Sequence, residues 1–441
     1  MFARQHKGQR VSVFRMLAVA SVAIIASAQT DPGVRSGPAG AGDALSSLTF
    51  TQKLFFNQGK DAFEEVDFVQ NPPANAGEDL GPRFNGESCV SCHAFPSTGG
   101  SSPATNPQVL LATKMGAKNI VPPFITAGGP VREVRFIKKP DGTPDGGVHA
   151  LFVISGRSDA PGCNIKQEDF SNTANLSFRI PTPTFGTGLI EAIFDSTLRQ
   201  NLDANGPAKA AMGIKGRLNV NGNDGTVTRF GWKAQNKSLH IFAGEAYNVE
   251  QGASNMLFPQ EREEAPGCSY TGSFEDRIGD FGKLDDVTLF AGFMRFLDAP
   301  ARGPINPAVT DGATLFNTVG CTLCHTPTLQ TGASSVPALA NRTADLYSDL
   351  ALHHMGADLA DGISQGIAGG DEFRTAPLWG LGKRIFFFHD GRATDLLQVI
   401  AAHAKPASGP YPASEASAVV AKFNALTTEQ KQHLLNFLRS L

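Results

Sequence analysis

The chain has 441 residues, and its 47 Gly and 28 Pro predict much loop, yet a 41% hydrophobic content is too rich for a disordered chain. A net charge of −3 gives no electrostatic case for a nucleic-acid partner, and a chain of this length buries an ample core without disulfide help. Its six cysteines therefore need an explanation of their own.

Residues 1–28 carry Arg4, Lys7, Arg10 and Arg15 and no acid, then an apolar run from Met16 to Ile25, then Ala26-Ser27-Ala28. This order predicts a secretory signal peptide over 1–28. The run is too short to cross a ~30 Å hydrocarbon core, so an anchor is disfavoured. No later stretch is apolar enough to span, which predicts a periplasmic protein with no stable membrane insertion. Residues 29–45 are Gly-, Pro- and Ala-rich and read as a flexible mature N-terminus.

The first half, 46–298, opens with an amphipathic helix carrying Leu54, Phe55, Ala62 and Phe63, followed by Cys89-Val90-Ser91-Cys92-His93. Strands are predicted at Arg132–Lys138, Val148–Ile154 and Arg217–Phe230, and a closing helix at Leu284–Leu297. Residues 299–308 read as a Pro/Gly linker. The second half, 309–441, repeats the pattern: a helix with Val309, Gly312, Leu315, Phe316 and Val319, then Cys321-Thr322-Leu323-Cys324-His325. A helix is predicted to start near Asp395, and another over Leu426–Leu441 behind a capping box from Thr427 to Gln430. Each half also holds a Phe-Arg pair followed closely by proline, Phe178-Arg179 with Pro181 and Pro183 and Phe373-Arg374 with Pro377.

Two C-x-x-C-H motifs point to two covalently bound haem c groups. Two thiols, Cys89 with Cys92 and Cys321 with Cys324, add across the vinyl groups, and His93 or His325 reaches the iron as proximal ligand. A zinc ribbon needs its pairs about 15–20 residues apart, and a redox pair needs no following His. Cys163 and Cys268, each after Ala-Pro-Gly, remain; in an oxidising compartment a disulfide is preferred over a reactive thiol. The chain-entropy model allows such a bridge roughly 4–5 kcal/mol. The expected fold is mainly α with β insertions: two tandem cytochrome c-like domains, the first enlarged.

Several segments resemble the bacterial di-haem oxidoreductase family, which is related to di-haem cytochrome c peroxidases. They include Leu80–Asn85, Gly188–Ala192, Arg229–Ala234, Tyr347–Gly356, Arg374–Gly382 and Phe388–Ala393. The resemblance implies a peroxidase-like oxidoreductase. Where the family usually has His-Asp-Met-Gly, this chain reads His353-His354-Met355-Gly356. Similarity to the peroxidases also places a distal ligand of the C-terminal haem 14 residues beyond the His389-Asp-Gly motif, at His403. His353, His354 and Met355 compete for that role, and His389 reads as a loop-ordering residue. Related peroxidases hold a calcium ion between domains; no clustered acidic loop predicts one here, although backbone carbonyls could supply it.

For the N-terminal haem, His149 and Met115 could ligate but neither has supporting spacing, so this iron is expected to be open or weakly ligated, which makes it the candidate reactive site. Glu191 is the candidate proton-transfer group, the alternative being a simple ion pair with an Arg such as Arg179. Trp232 or Trp379 could relay electrons between the haems, or be core aromatics. The expected partners are peroxide or another small oxidant and a one-electron donor such as a small soluble cytochrome or cupredoxin. Two other readings stand beside this one: a non-enzymatic electron-transfer cytochrome, and a di-haem oxidase acting on a protein or organic substrate.

Overall fold

The computed structural model describes residues 1, 29–71, 73–74, 76–77, 80–81, 86–116, 118, 120–145, 155–260, 268 and 284–441. The predicted signal segment 2–28 and the predicted strand Val148–Ile154 lie outside the described residues. Helices dominate, and the sheets among the described residues are three two-stranded ribbons.

The two halves are assembled by the same contacts. Helix Phe50–Glu64, opened by a Thr49/Gln52 capping box, lies against helix Asp286–Phe296. They touch at Gly59, where a Cβ would collide with Leu289 O and crowd Phe293. One turn on, Phe63 stands 4.9 Å from the Phe293 ring and 5.9 Å from His93. Helix Pro307–Val319 meets helix Thr428–Ser440 in the same way. Gly312 sits against His433 O and Phe437, and Phe316 lies 5.3 Å from Phe437 and 6.2 Å from His325. In each half a glycine lets two helices close, and the Phe one turn later props the His of the following C-x-x-C-H.

The cores do not divide at 299–308. Leu329, Leu339, Leu346 and Leu350 pack into the core of the first half, while Ile214 joins that of the second. The segment 29–45 is also a correction, because it is bonded along its length. Asp31 makes a bidentate pair with Arg439 (2.7 and 2.6 Å), Arg35 N donates to Gly382 O, Lys383 Nζ reaches Gly37 O, and Leu45 N reaches Phe296 O. Its composition reads as loose because every partner lies hundreds of residues away.

Strand Glu133–Phe136 is present and pairs antiparallel with Leu176–Arg179, placing Glu133 opposite Arg179. The predicted strand Arg217–Phe230 is instead a looped segment with isolated bridges, Arg217 to Leu352, Val220 to Val227 and Phe230 to Asn236. Asn221 and Asp224 explain the difference: each side chain accepts the N–H two residues on, turning the backbone. Cys163 and Cys268 are joined in a disulfide inside a cluster with Leu111, Met115, Ile125 and Ile165.

Candidate haem sites

The C-terminal site begins where Gly320, at φ +100°, ends helix Pro307–Val319 and turns the chain into Cys321–Leu323. Cys321, Cys324 and His325 then face a cavity of about 1510 Å³, mouth included, walled by Phe316, Leu396, Val399, Ile400 and Val419. His325 and His403 both line it. His325 Nδ1 bonds to Tyr347 O at 3.0 Å and His403 Nδ1 to Val399 O at 2.7 Å. A ring whose Nδ1–H is spent on a carbonyl presents Nε2 as the lone-pair nitrogen. Burial lowers both pKa values, that of His325 to about 4, so both rings are neutral and competent to bind a metal. His403 is the C-cap of helix Leu396–Ala402, whose N-terminus is held by Asp395 and, through Leu396 N, by Asp31.

The competing ligands are placed differently. His353 spends Nδ1 on Glu415 (2.8 Å) and Nε2 on Asp349 (3.0 Å). Burial opposes its charge, but Asp349 overrides this and raises its pKa well above the ordinary value. His354 lies between Asp371 and Glu372, and only Met355 of the three reaches the cavity wall with its donor unengaged. His389 accepts Ile180 N through its carbonyl, and its ring stacks on Phe373 at 4.3 Å.

At the N-terminal site Ser88 caps the turn Cys89–Cys92, and His93 Nδ1 bonds to Gly100 O at 3.0 Å, leaving Nε2 as the ligand nitrogen. This cavity, about 480 Å³ with its mouth, is polar: Gln108, Arg132, Glu133, Arg179, Glu250 and Gln251 line it beside Cys89 and Cys92. His93 follows the two lining cysteines without being part of the wall, and no other His or Met lines it among the described residues. Met115 is 5% exposed in the disulfide cluster rather than at this wall, and His149 lies outside the described residues. The four motif thiols form no disulfide, and burial raises all of their pKa values, those of Cys92 and Cys321 to about 12. A redox C-x-x-C pair needs the opposite shift.

Glu191 lines neither cavity. Its carboxylate accepts Leu239 N (2.8 Å) and pairs with Arg295 (2.7 Å), not with Arg179. Among the described residues the carboxylate that stands beside His93 is Glu250, whose Oε2 lies 3.7 Å from His93 Nε2. It sits on the π-helical turn Tyr247–Gln251, a local geometry frequent at functional sites and without a spacing signature in sequence.

Trp232 stands between the cavities: its ring lines the C-terminal one, and Nε1 donates to the carbonyl of Ile180, which lines the other. Trp379 lines neither. Beside Trp232 a buried triad runs across the same divide. Asp361 Oδ2 accepts Arg179 (2.8 Å) and Oδ1 holds Lys233 (3.0 Å), which also donates to Gly369 O and Glu372 O and lies 4.0 Å over the Phe373 ring. Among the described residues the His/Cys/Asp/Glu group close enough together to hold a metal ion is Cys324, Asp349 and His353.

Burial alone would raise the pKa values of Asp349, Asp361 and Glu415. His353, Arg179 with Lys233, and His353 again override it and hold all three below the ordinary range. Lowered folded-state values mean that their stabilisation is full above the unfolded pKa and is lost as pH falls through the folded one. Thermal stability is therefore expected to drop as pH falls below about 4. Melting curves from neutral to acid pH check this, and a flat profile would contradict it.

Residues 149–441 match the family described as "Di-haem oxidoreductase, putative peroxidase". No curated protein gives a significant match. Among solved structures, a MauG-like protein associated with microbial copper homeostasis aligns at 18% identity and TM-score 0.30, over 59% of this chain and 90% of its own. Hydrazine synthase from Kuenenia stuttgartiensis aligns at 12% identity and TM-score 0.36, over 98% and 100%. Scores this low carry nothing about fold or chemistry. No helix of the described residues is long and apolar enough to cross a membrane. With two C-x-x-C-H motifs whose cysteines line cavities and a family match over most of its length, the chain belongs to the di-haem oxidoreductase family.

Proposed function

We propose that this is an exported, periplasmic peroxidase-like enzyme of two tandem cytochrome c-like halves, each holding one haem c through Cys89 and Cys92 or Cys321 and Cys324. His93 and His325 would hold the two irons from the motif side, and His403 would offer the further nitrogen to the C-terminal haem. When bound, the haems supply peroxide coordination and one-electron redox chemistry. The observation that carries the reading is the asymmetry of the two cavities. One is apolar and offers a second neutral His, which suits electron transfer; the other offers carboxylates and guanidiniums and no second His or Met among its described lining residues.

The chain's own groups divide the work accordingly. Electrons enter at the C-terminal site from a small soluble cytochrome or cupredoxin and pass by Trp232 toward Ile180 and the N-terminal cavity. There a carboxylate moves the proton between the peroxide oxygens, and Arg132 and Arg179 offset developing negative charge. The proton-transfer role assigned to Glu191 from sequence passes in this reading to Glu250, because Glu191 is engaged by Arg295 away from the cavity.

Absorption and electron paramagnetic resonance spectra of the oxidised and half-reduced protein test the reading. One low-spin haem indifferent to peroxide and one high-spin haem that shifts with it are expected. Two low-spin haems unaltered by peroxide or cyanide would overturn the assignment. Glu250→Gln is expected to slow peroxide turnover by about 10²–10⁴-fold with haem content intact, the range typical of a lost general acid–base. Glu191→Gln should leave turnover within a few-fold, and the reverse ranking would return the role to Glu191.

A further inference from the structure

The five arginines buried most completely each rest on a carboxylate: Arg135 on Glu133, Arg157 on Asp159, Arg179 on Asp361, Arg229 on Asp195 and Arg439 on Asp31. Arg374 and Arg384 break this pattern. Both are half-buried at the wall of the C-terminal cavity, and neither has an acidic partner among the described residues. Arg374 donates Nε to Gly231 O, and Arg384 donates Nε to Phe386 O while its guanidinium lies 5.7 Å over the Trp232 ring. Arg384 Nη2 is buried with no hydrogen-bond partner. Burial lowers both pKa values to about 10, and Arg384 adds repulsion to Arg374.

Two neighbouring guanidiniums cannot be taken from water cheaply without an anion. The rest of the wall does not supply one: around them it is Trp232, Phe373, Pro377, Leu381 and Phe387, the nearby His389 is kept neutral by burial, and the carboxylate in the lining, Glu415, is engaged by His353 and by the amides of Lys215 and Gly216. The missing charge must come with whatever fills the cavity. Given the reading above, on which this rests, the occupant is a haem, whose polar edge carries two carboxylates. We infer that Arg374 and Arg384 form an anion clamp for the propionates of the C-terminal haem. The planar guanidinium fork suits carboxylate recognition better than an ammonium would. Trp232, under Arg384, then lies beside the propionate edge, where the relay toward Ile180 starts.

The test uses the haem-loaded full chain with Arg374→Leu, Arg384→Leu and the two Arg→Lys variants. Haem count and mass first establish whether the C-terminal site carries a haem; a chain with none there would overturn the haem reading and the clamp together. In loaded Arg→Leu proteins the propionate bending mode in the resonance Raman spectrum is expected to move. The midpoint potential of the C-terminal haem should become more negative, since a cation that favours the reduced iron is gone. The Lys variants, which are also the fallback if the Leu variants fail to assemble, should keep most of the potential but still move the Raman mode. Unchanged Raman and potential with haem in place would overturn the clamp alone. A shifted potential with an unmoved propionate mode would also overturn it, because the cations would then be acting from a distance.

Discussion

Asp361→Asn is expected to destabilise the protein by about 3–5 kcal/mol, the penalty for stranding buried charge by removing one partner of an ion pair. Asp361 is fully buried at its carboxylate and holds two cations at once, Arg179 at 2.8 Å and Lys233 at 3.0 Å. The amide cannot neutralise either, and neither cation can turn to solvent, because Lys233 is 0% exposed and Arg179 3%. The consequence reaches both sites. Arg179 lines the N-terminal cavity, while Lys233 lies over Phe373, the ring stacked on His389 at the wall of the C-terminal one. A shift of the denaturant midpoint to lower concentration, accompanied by changes in both haem spectra, is the expected result. Asp224→Asn, which breaks an exposed pair with Lys237, is the control and should leave the midpoint in place. If Asp361→Asn matches that control, the triad is not a load on the fold.

His403→Gly is expected to abolish the low-spin signature of the C-terminal haem, leave the N-terminal haem unchanged and slow peroxide turnover at least about tenfold. The reason is positional. Asp395 and Asp31 hold the start of helix Leu396–Ala402, Val399 O fixes the imidazole through Nδ1, and the ring faces the cavity that His325 faces. The glycine leaves space for added imidazole, which should restore the signature. An unaltered spectrum would transfer the ligand role to Met355, the other unengaged donor among the three rivals in that wall.

Much of this was legible in the residues, and the reason is locality. The helices at Phe50–Glu64, Asp286–Phe296, Pro307–Val319 and Thr428–Ser440 follow from apolar spacing and capping boxes within a few residues. The haem-binding motifs are equally local, because two thioethers and a proximal His must come from one turn of chain. His403 was singled out by the resemblance to di-haem peroxidases, and its place at the cavity wall is set by a single short helix.

What only the tertiary structure decided are the contacts between distant segments. Arg217–Phe230 alternates well enough for a strand, but Asn221 and Asp224 turn it, and the strand that pairs with Glu133–Phe136 comes some forty residues later. Residues 29–45 look unstructured because Arg439 and Gly382, which hold them, are at the other end of the chain. Glu191 was chosen from a motif position, yet the carboxylate beside His93 is Glu250, brought there by a π-helical turn. The same holds for Trp232 over Trp379, and for Arg374 and Arg384. Composition already announced six cysteines and two haem motifs in a loop-rich chain; which carboxylate, tryptophan and arginines face those motifs depends on burial and partnership, quantities that no local pattern carries.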